Sequence, residues 1–339
     1  MHYILAKNID WLEPLVEEIQ NSFEVKPDRV TGLPLLKASN TLDLRDKYIA
    51  FSTCALINTT SFLEDSISKQ AMSIVESILS KVSEDETINL HVFSMTHKYG
   101  VLETGRAEIL KDKIHKNLRK NKIRIIRKGF ERSLSFAQVM LLDDRSAILS
   151  IQDTEEVSHY NSLYSPYVGG FNNVEDDKKA PSRAFKKIVE AQEILGKNIS
   201  NGETLIDLGA CPGGWTYIAR KNGAKVIAID RSELREDLMQ DEQVQFLQTD
   251  AFKYRPEEIL DWAVSDIIST PDRVIELMTT WVLGKLCRNF IFTIKFQGKE
   301  GYTVLEEFKK LANECDFKII LKQLNANKNE VTIMGSERE

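Results

Sequence analysis

The stretch Asp207-Leu208-Gly209-Ala210-Cys211-Pro212-Gly213-Gly214-Trp215 sets three glycines between an apolar run, 204–208, and a helical pattern opening at Trp215. A glycine-rich turn between a buried strand and a helix lets backbone atoms pass close to a ligand at the carboxyl edge of an α/β sheet. Two more acids stand at equivalent places. Asp230 closes the run 225–229, ~20 residues beyond the turn, where a carboxylate can accept both hydroxyls of a ribose. Asp250 follows the run 244–248, where it can accept a hydrogen bond from the exocyclic amine of an adenine. Singly, each has a plainer reading, since glycines turn chains and aspartates cap helices. In order, at three successive strand ends, they point to a nucleoside cofactor. A nicotinamide dinucleotide needs Gly-x-Gly-x-x-Gly around its pyrophosphate. Gly-Ala-Cys-Pro-Gly-Gly lacks that spacing and suits a ligand without phosphate. Trp215 either packs beside that ligand or belongs to the core.

The elements that must position these groups alternate. Ser182 reads as the N-cap of a helix with Phe185, Ile188, Ala191 and Leu195 on one face and Gly196 as its stop. Strands are then expected over 204–208, 225–229, 244–248, 262–266, 290–295, 317–321 and 330–334, with helices over 215–222, 274–286 and 303–313. Such alternation predicts an α/β fold, a mostly parallel sheet wrapped by helices. The earlier half reads as α+β. Its strands are expected at 2–6, 49–53, 88–94 and, in two pieces joined at Asp143-Asp144-Arg145, 137–151; its helices at 12–22, 65–82 and 106–122. Between the halves, 155–180 carries Tyr164-Ser165-Pro166, Gly169-Gly170 and Glu175-Asp176-Asp177-Lys178-Lys179, a connector composition.

Composition limits what these elements serve. A length of 339 residues, 42% hydrophobic and 28% charged, fits two or three globular domains rather than a disordered or fibrous chain. No apolar run approaches the roughly 18 residues of a membrane span, and the opening residues are too soon charged for a secretory signal, so a cytoplasmic protein is expected. Cys54, Cys211, Cys287 and Cys315 are scattered, with no Cys-x-x-Cys pair and no clustered histidine. Reduced thiols and no metal are therefore expected. The net charge of −6 confines any contact with a polyanion to a local patch.

The glycine turn resembles the cofactor loop of the FtsJ-like 2′-O-ribose methyltransferases. Residues 207–217 closely resemble the RlmM group of that family, which acts on 23S ribosomal RNA. The resemblance implies S-adenosyl-L-methionine as cofactor and a Rossmann-like class I methyltransferase domain over 181–339. It implies cofactor-binding roles for Asp207, Gly209, Ala210, Pro212, Gly213, Gly214, Trp215, Asp230, Asp250 and Asp266. It also implies a catalytic Lys-Asp-Lys-Glu tetrad. Ala180-Pro181-Ser182-Arg183-Ala184-Phe185-Lys186-Lys187 matches the segment opening the family's catalytic domain and supplies Lys187. Val264-Ser265-Asp266 supplies the aspartate, Phe292-Thr293-Ile294-Lys295 the second lysine, and Glu330-Val331-Thr332 the glutamate. A ribose hydroxyl is a poor nucleophile at neutral pH, so such an enzyme must align it and take its proton. Lys295 is expected to be the general base beside Lys187, with Asp266 and Glu330 orienting the two ammonium groups. Singly, a lysine on a helix face is usually solvated and an acid at a strand end usually decorates an edge.

On the substrate side, 111–132 is dense in lysine and arginine, either a solvated helix face or a track for RNA phosphates. Residues 49–154 resemble an α+β THUMP RNA-binding domain, residues 1–48 a small ferredoxin-like unit, and 162–170 the family's connector. The resemblance implies RNA contacts from Lys116, Arg119, Lys120, Lys122, Arg124, Arg127, Lys128 and Arg183. The implied partner is RNA, 23S ribosomal RNA or a precursor particle, with the protein a monomer that contacts no membrane. Two rivals remain at this point. One is an RNA-binding protein with the methyltransferase fold and little activity, against which the four filled tetrad positions speak. The other is a methyltransferase of a small molecule or a protein side chain, in which the basic segment plays no part.

Overall fold

The computed structural model describes residues 1–338 apart from 97–99, 103, 128, 144, 161, 173, 313 and 314. The chain divides into two compact units, Met1–Asn172 and Asn173–Glu339. Among the described residues no helix is long and apolar enough to cross a membrane.

In the first unit, β1 (His2–Ala6), α1 (Leu12–Phe23), β2 (Asp28–Arg29), β3 (Leu35–Ala38) and β4 (Ser52–Leu56) give an antiparallel sheet in the order β2-β3-β1-β4. The sheet thus takes its fourth strand from beyond residue 48. The strand expected at 49–53 begins only at Ser52, because Ala50 and Phe51 turn to donate their amides to the buried Glu18 carboxylate on α1, at 2.7 and 3.0 Å. Next come β5 (Thr60–Leu63), α2 (Ile67–Leu79), β6 (Thr87–Thr96), β7 (Gly100–Leu102), α3 (Gly105–Lys120), β8 (Arg124–Ile125), β9 (Phe136–Leu141), β10 (Ser146–Gln152) and α4 (Thr154–His159). The second sheet runs β5-β10-β9-β6-β7, with β8 added on β6. Apolar residues at helical spacing, Ala71, Ile74, Val75 and Ile78 on α2 and Ala107, Leu110, Ile114 and Leu118 on α3, share one core with Val92, Val139 and Leu149 of this sheet. Residues beyond α4 pack within the unit. The Leu163 carbonyl accepts the Ala55 amide at 3.0 Å, and a Cβ on Gly170 would lie 2.6 Å from the Thr53 carbonyl.

The second unit contains α5 (Phe185–Leu195), β11 (Thr204–Leu208), α6 (Gly214–Lys221), β12 (Lys225–Asp230), α7 (Glu236–Met239), β13 (Val244–Gln248), β14 (Leu260–Ser265), α8 (Pro271–Leu283), β15 (Cys287–Lys295), α9 (Val304–Ala312), β16 (Phe317–Lys322) and β17 (Glu330–Glu337). One seven-stranded sheet has the order β13-β12-β11-β14-β15-β17-β16. The strands from β13 to β15 are parallel, whereas β17 runs antiparallel to both β15 and β16. This is a Rossmann-like architecture, in which strand order reverses direction about β11. A crevice opens at the carboxyl ends there, the usual ligand position in open α/β sheets.

Ser182 does not cap α5 as expected. The helix starts at Phe185 with Ala184 as an N-cap that makes no side-chain bond. Ser182 is instead pressed against the glycine turn, where a Cβ on Gly214 would meet its Oγ at 2.5 Å. Gly196 ends the helix in the left-handed region, φ 71°.

Candidate active site

The glycine turn is built by close approach. Gly209 has φ +82°, and a Cβ there would lie 2.8 Å from the Cβ of Ile267, so the turn is packed directly against the residue after Asp266. Gly213, at φ +106°, would drive a Cβ to 2.3 Å from Leu238 on α7. Below the turn, the Asp207 carboxylate is buried and accepts the Thr216 amide and hydroxyl at 3.0 and 2.7 Å, tying β11 to α6. Burial pushes this carboxyl up to about 7 despite those two donors. Trp215 is buried and also faces the cavity described next, donating its indole N–H to the Ala184 carbonyl at 2.9 Å. It thereby fixes the segment that leads into α5.

A cavity of about 540 Å³ opens over this turn. Of the residues expected around a cofactor, Asp207, Gly209, Ala210, Pro212, Gly214, Trp215, Asp230, Asp250 and Asp266 line it. Gly213 does not; its place is the turn beside Leu238. Asp230 is held by the Cys211 and Ser232 amides at 3.0 and 2.9 Å. Asp250 accepts the Phe252 amide at 3.0 Å and lies 3.4 Å from Arg231; that amide first, and then the guanidinium, hold its carboxyl below the ordinary range. Sequence reasoning passed over Phe252, Ile267, Ile268, Ser269 and Arg273, which also line the cavity. Phe252, Ile267, Ile268 and Ser269 sit in irregular segments after strand ends, where no periodicity marks them, and Arg273 lies in the first turn of α8.

The four tetrad positions, spread over more than 140 residues of chain, come together at this cavity. Lys187 Nζ lies 2.9 and 3.1 Å from the two oxygens of Asp266 and 2.8 Å from Oε2 of Glu330. Lys295 Nζ is 3.2 Å from Oδ1 of Asp266 and donates to the Asp266 carbonyl at 2.6 Å. Lys187 is the deeper lysine, its side chain 9% exposed against 22% for Lys295. Of the two, Lys295 faces the cavity. Each position follows from a local constraint. Lys295 and Glu330 are register partners across β15 and β17, so both stand at one end of that pair. Asp266 directly follows β14, the parallel neighbour of β15. Lys187 arrives on α5, which is anchored one turn later by the buried Glu190. The Glu190 carboxylate accepts the Asn325 amide and side chain at 2.8 and 3.0 Å and the Ala326 amide at 3.1 Å, in the turn that leads into Glu330.

Residues 180–338 match the model of the FtsJ-like methyltransferases. This segment is an FtsJ-like methyltransferase domain. The chain is similar to proteins named ribosomal RNA large subunit methyltransferase M. It is 34% identical over 188 residues to the one from Pseudoalteromonas atlantica, covering 51% of this chain and 53% of that one. It is 35% identical over 202 residues to the one from Idiomarina loihiensis, covering 55% of each. For the Psychromonas ingrahamii protein the figures are 32% over 215 residues, 60% and 57%. The chain thus spans little more than half the length of these relatives.

Outside the FtsJ-like domain, Lys116, Arg119 and Lys120 are exposed on α3, as are Lys122, Arg124 and Arg127 beyond it. Lys122 pairs with Glu84 at 2.9 Å, and Arg124 reaches the Asp85 carbonyl at 3.4 Å. Lys128 lies outside the described residues. Arg183, in the FtsJ-like domain, is exposed ahead of α5. Among the described residues no group of His, Cys, Asp or Glu is arranged to hold a metal ion.

Proposed function

We propose that this chain is an RNA 2′-O-ribose methyltransferase that uses S-adenosyl-L-methionine and acts on large-subunit ribosomal RNA. One observation carries the reading: two ammonium groups and two carboxylates are joined in a single network beside a nucleoside-sized cavity, with Asp266 and Lys295 in its wall. When bound, the cofactor supplies a methyl group already activated as a sulfonium. The residues suit it. Asp230, Asp250 and Asp266 give the cavity three carboxylates, which favour a cationic ligand, and the turn 209–214 itself carries no lysine or arginine for a phosphate. Asp230 would take the adenosyl ribose, Asp250 the adenine amine, and the backbone of Gly209 to Trp215 the amino-acid end.

The chain's own part is alignment and proton removal. Lys187 is locked between Asp266 and Glu330, so it holds both carboxylates in place rather than meeting substrate. Lys295 faces the cavity; its ammonium first releases a proton to solvent on its exposed side, and the neutral amine at Nζ then accepts the proton of the ribose hydroxyl as the methyl group is transferred. Asp266 orients that ammonium group through its carboxylate and its carbonyl. Fixing the hydroxyl in line with the methyl carbon supplies much of the rate. The names of the relatives support ribosomal RNA as substrate, and the exposed cations of 116–127 support phosphate contacts.

Incubation with isotopically labelled S-adenosylmethionine and ribosomal RNA lacking the modification tests this. Label in alkali-resistant dinucleotides is expected, because a 2′-methyl group blocks alkaline cleavage. Label on bases, on protein or on small molecules alone contradicts the reading.

A further inference from the structure

Three cations line the cavity, and they are not alike. Arg231 is paired with Asp250 and Lys295 with Asp266. Arg273, in the first turn of α8, has no carboxylate partner among the described residues. Its guanidinium carbon lies 4.0 Å from the centre of the Phe252 ring. A guanidinium laid on an aromatic face is held in place without spending its N–H donors. Those donors remain for a ligand at the cavity rim. Five residues before Arg273, in the loop between β14 and α8, Ile268 is 88% exposed, the most exposed large apolar side chain of those described, and it too lines the cavity.

A polyanion approaching this opening meets three acids of the cavity wall, Asp230, Asp250 and Asp266. Delivery of a ribose hydroxyl to Lys295 therefore needs a local cation that is not already neutralised. We propose that Ile268 and Arg273 form the RNA-docking lip of the active site. Arg273 binds the phosphodiester next to the target ribose, and Ile268 packs against the sugar or base of that nucleotide. A planar fork matches two phosphate oxygens at once, which fixes orientation as well as charge. The apolar neighbour gains contact area only when RNA is seated. The assignment rests on the RNA-methyltransferase reading above and adds to it which residues recognise the substrate.

The test uses the full-length chain saturated with S-adenosylhomocysteine, a single-stranded ribosomal RNA fragment that the wild type methylates, and binding measured over a range of salt. Arg273→Ala is expected to weaken RNA binding about tenfold and to make the slope of log affinity against log salt shallower by roughly 0.7, one phosphate contact. Binding of S-adenosylhomocysteine, measured by calorimetry, stays within about twofold, which also reports that the variant is folded. Arg273→Lys restores the slope but not the full affinity, because a point charge replaces the fork. Ile268→Ala weakens RNA binding severalfold with the slope unchanged. If Arg273→Ala leaves both affinity and slope at wild-type values, or if its loss falls on S-adenosylhomocysteine instead of RNA, the lip is wrong. A wild type that methylates no RNA sinks the functional reading beneath it, a different and separately visible failure.

Discussion

Lysines do opposite work in the two units. On α3 and just beyond it, Lys116, Arg119 and Lys120 stand in solvent, and the Lys122–Glu84 pair has side chains 63% and 70% exposed. Such charges act through their number, and salt screens them. In the second unit Lys187 is 9% exposed, gripped by two carboxylates, one just past β14 and one on β17, with an anchoring glutamate one turn away. That charge acts through its coordinates. The first surface therefore tolerates substitution and the second does not.

The largest effect is expected from Lys187→Met. Removing the ammonium leaves Asp266 and Glu330 facing each other with little water, which costs stability of about 3 kcal/mol. It also drops single-turnover methyl transfer by about 10³-fold, a typical contribution of proton-transfer machinery. Denaturant unfolding and rapid-quench transfer measure the two. Glu190→Gln comes next. A carboxamide cannot accept all three donors of the Asn325–Ala326 turn, so Glu330 loses its fixed approach and kcat falls about tenfold with the KM for cofactor unchanged.

Asp207 makes the comparison sensitive to pH. Burial raises its carboxyl from the ordinary 3.8 to about 7, so the folded state holds a proton that the unfolded chain has released. Its contribution to stability is full below pH ~4 and is lost as pH rises through about 7. Asp207→Asn keeps an oxygen for the Thr216 amide and hydroxyl and removes the titration. The variant should match wild type at pH 4 and exceed it in stability at pH 8, followed by tryptophan fluorescence, since Trp215, Trp262 and Trp281 all lie in this unit. No change of that difference with pH would contradict the assignment. The smallest effect belongs to α3. Lys116→Ala, Arg119→Ala and Lys120→Ala together should raise the KM for RNA severalfold, flatten its salt dependence and leave kcat alone. A loss confined to kcat would remove the distinction between the units.

Much of the second unit was legible in the sequence because its central strands are buried apolar runs with acids at their ends, and the half-exposed edge strand β13 is closed by an acid in the same way. The strands 204–208 and 244–248 fall where the sequence placed them, and Asp207, Asp230 and Asp250 occupy the cavity edge. The antiparallel insertion of β17 between β15 and β16 was not legible, since local pattern carries no direction. It is nevertheless the reason Glu330 stands opposite Lys295. The start of α5 was misplaced because Ser182 has the chemistry of a cap, and only the tertiary fold reveals that it is pressed on Gly214. Phe252, Ile268 and Arg273 gave no signal because what gathers them is the tertiary fold, which closes two loops and the first turn of α8 around a cavity. In the first unit the helices carried clear periodicity, whereas the short strands β2, β5 and β7 are too brief to show any.

The account stands or falls on Lys295. The direct measurement pairs the S-adenosylhomocysteine affinity of Lys295→Ala with its single-turnover transfer to unmodified ribosomal RNA. A cofactor affinity within about threefold of wild type and transfer reduced at least about 10³-fold is the predicted result. Transfer within tenfold of wild type would show that the proton leaves by another route.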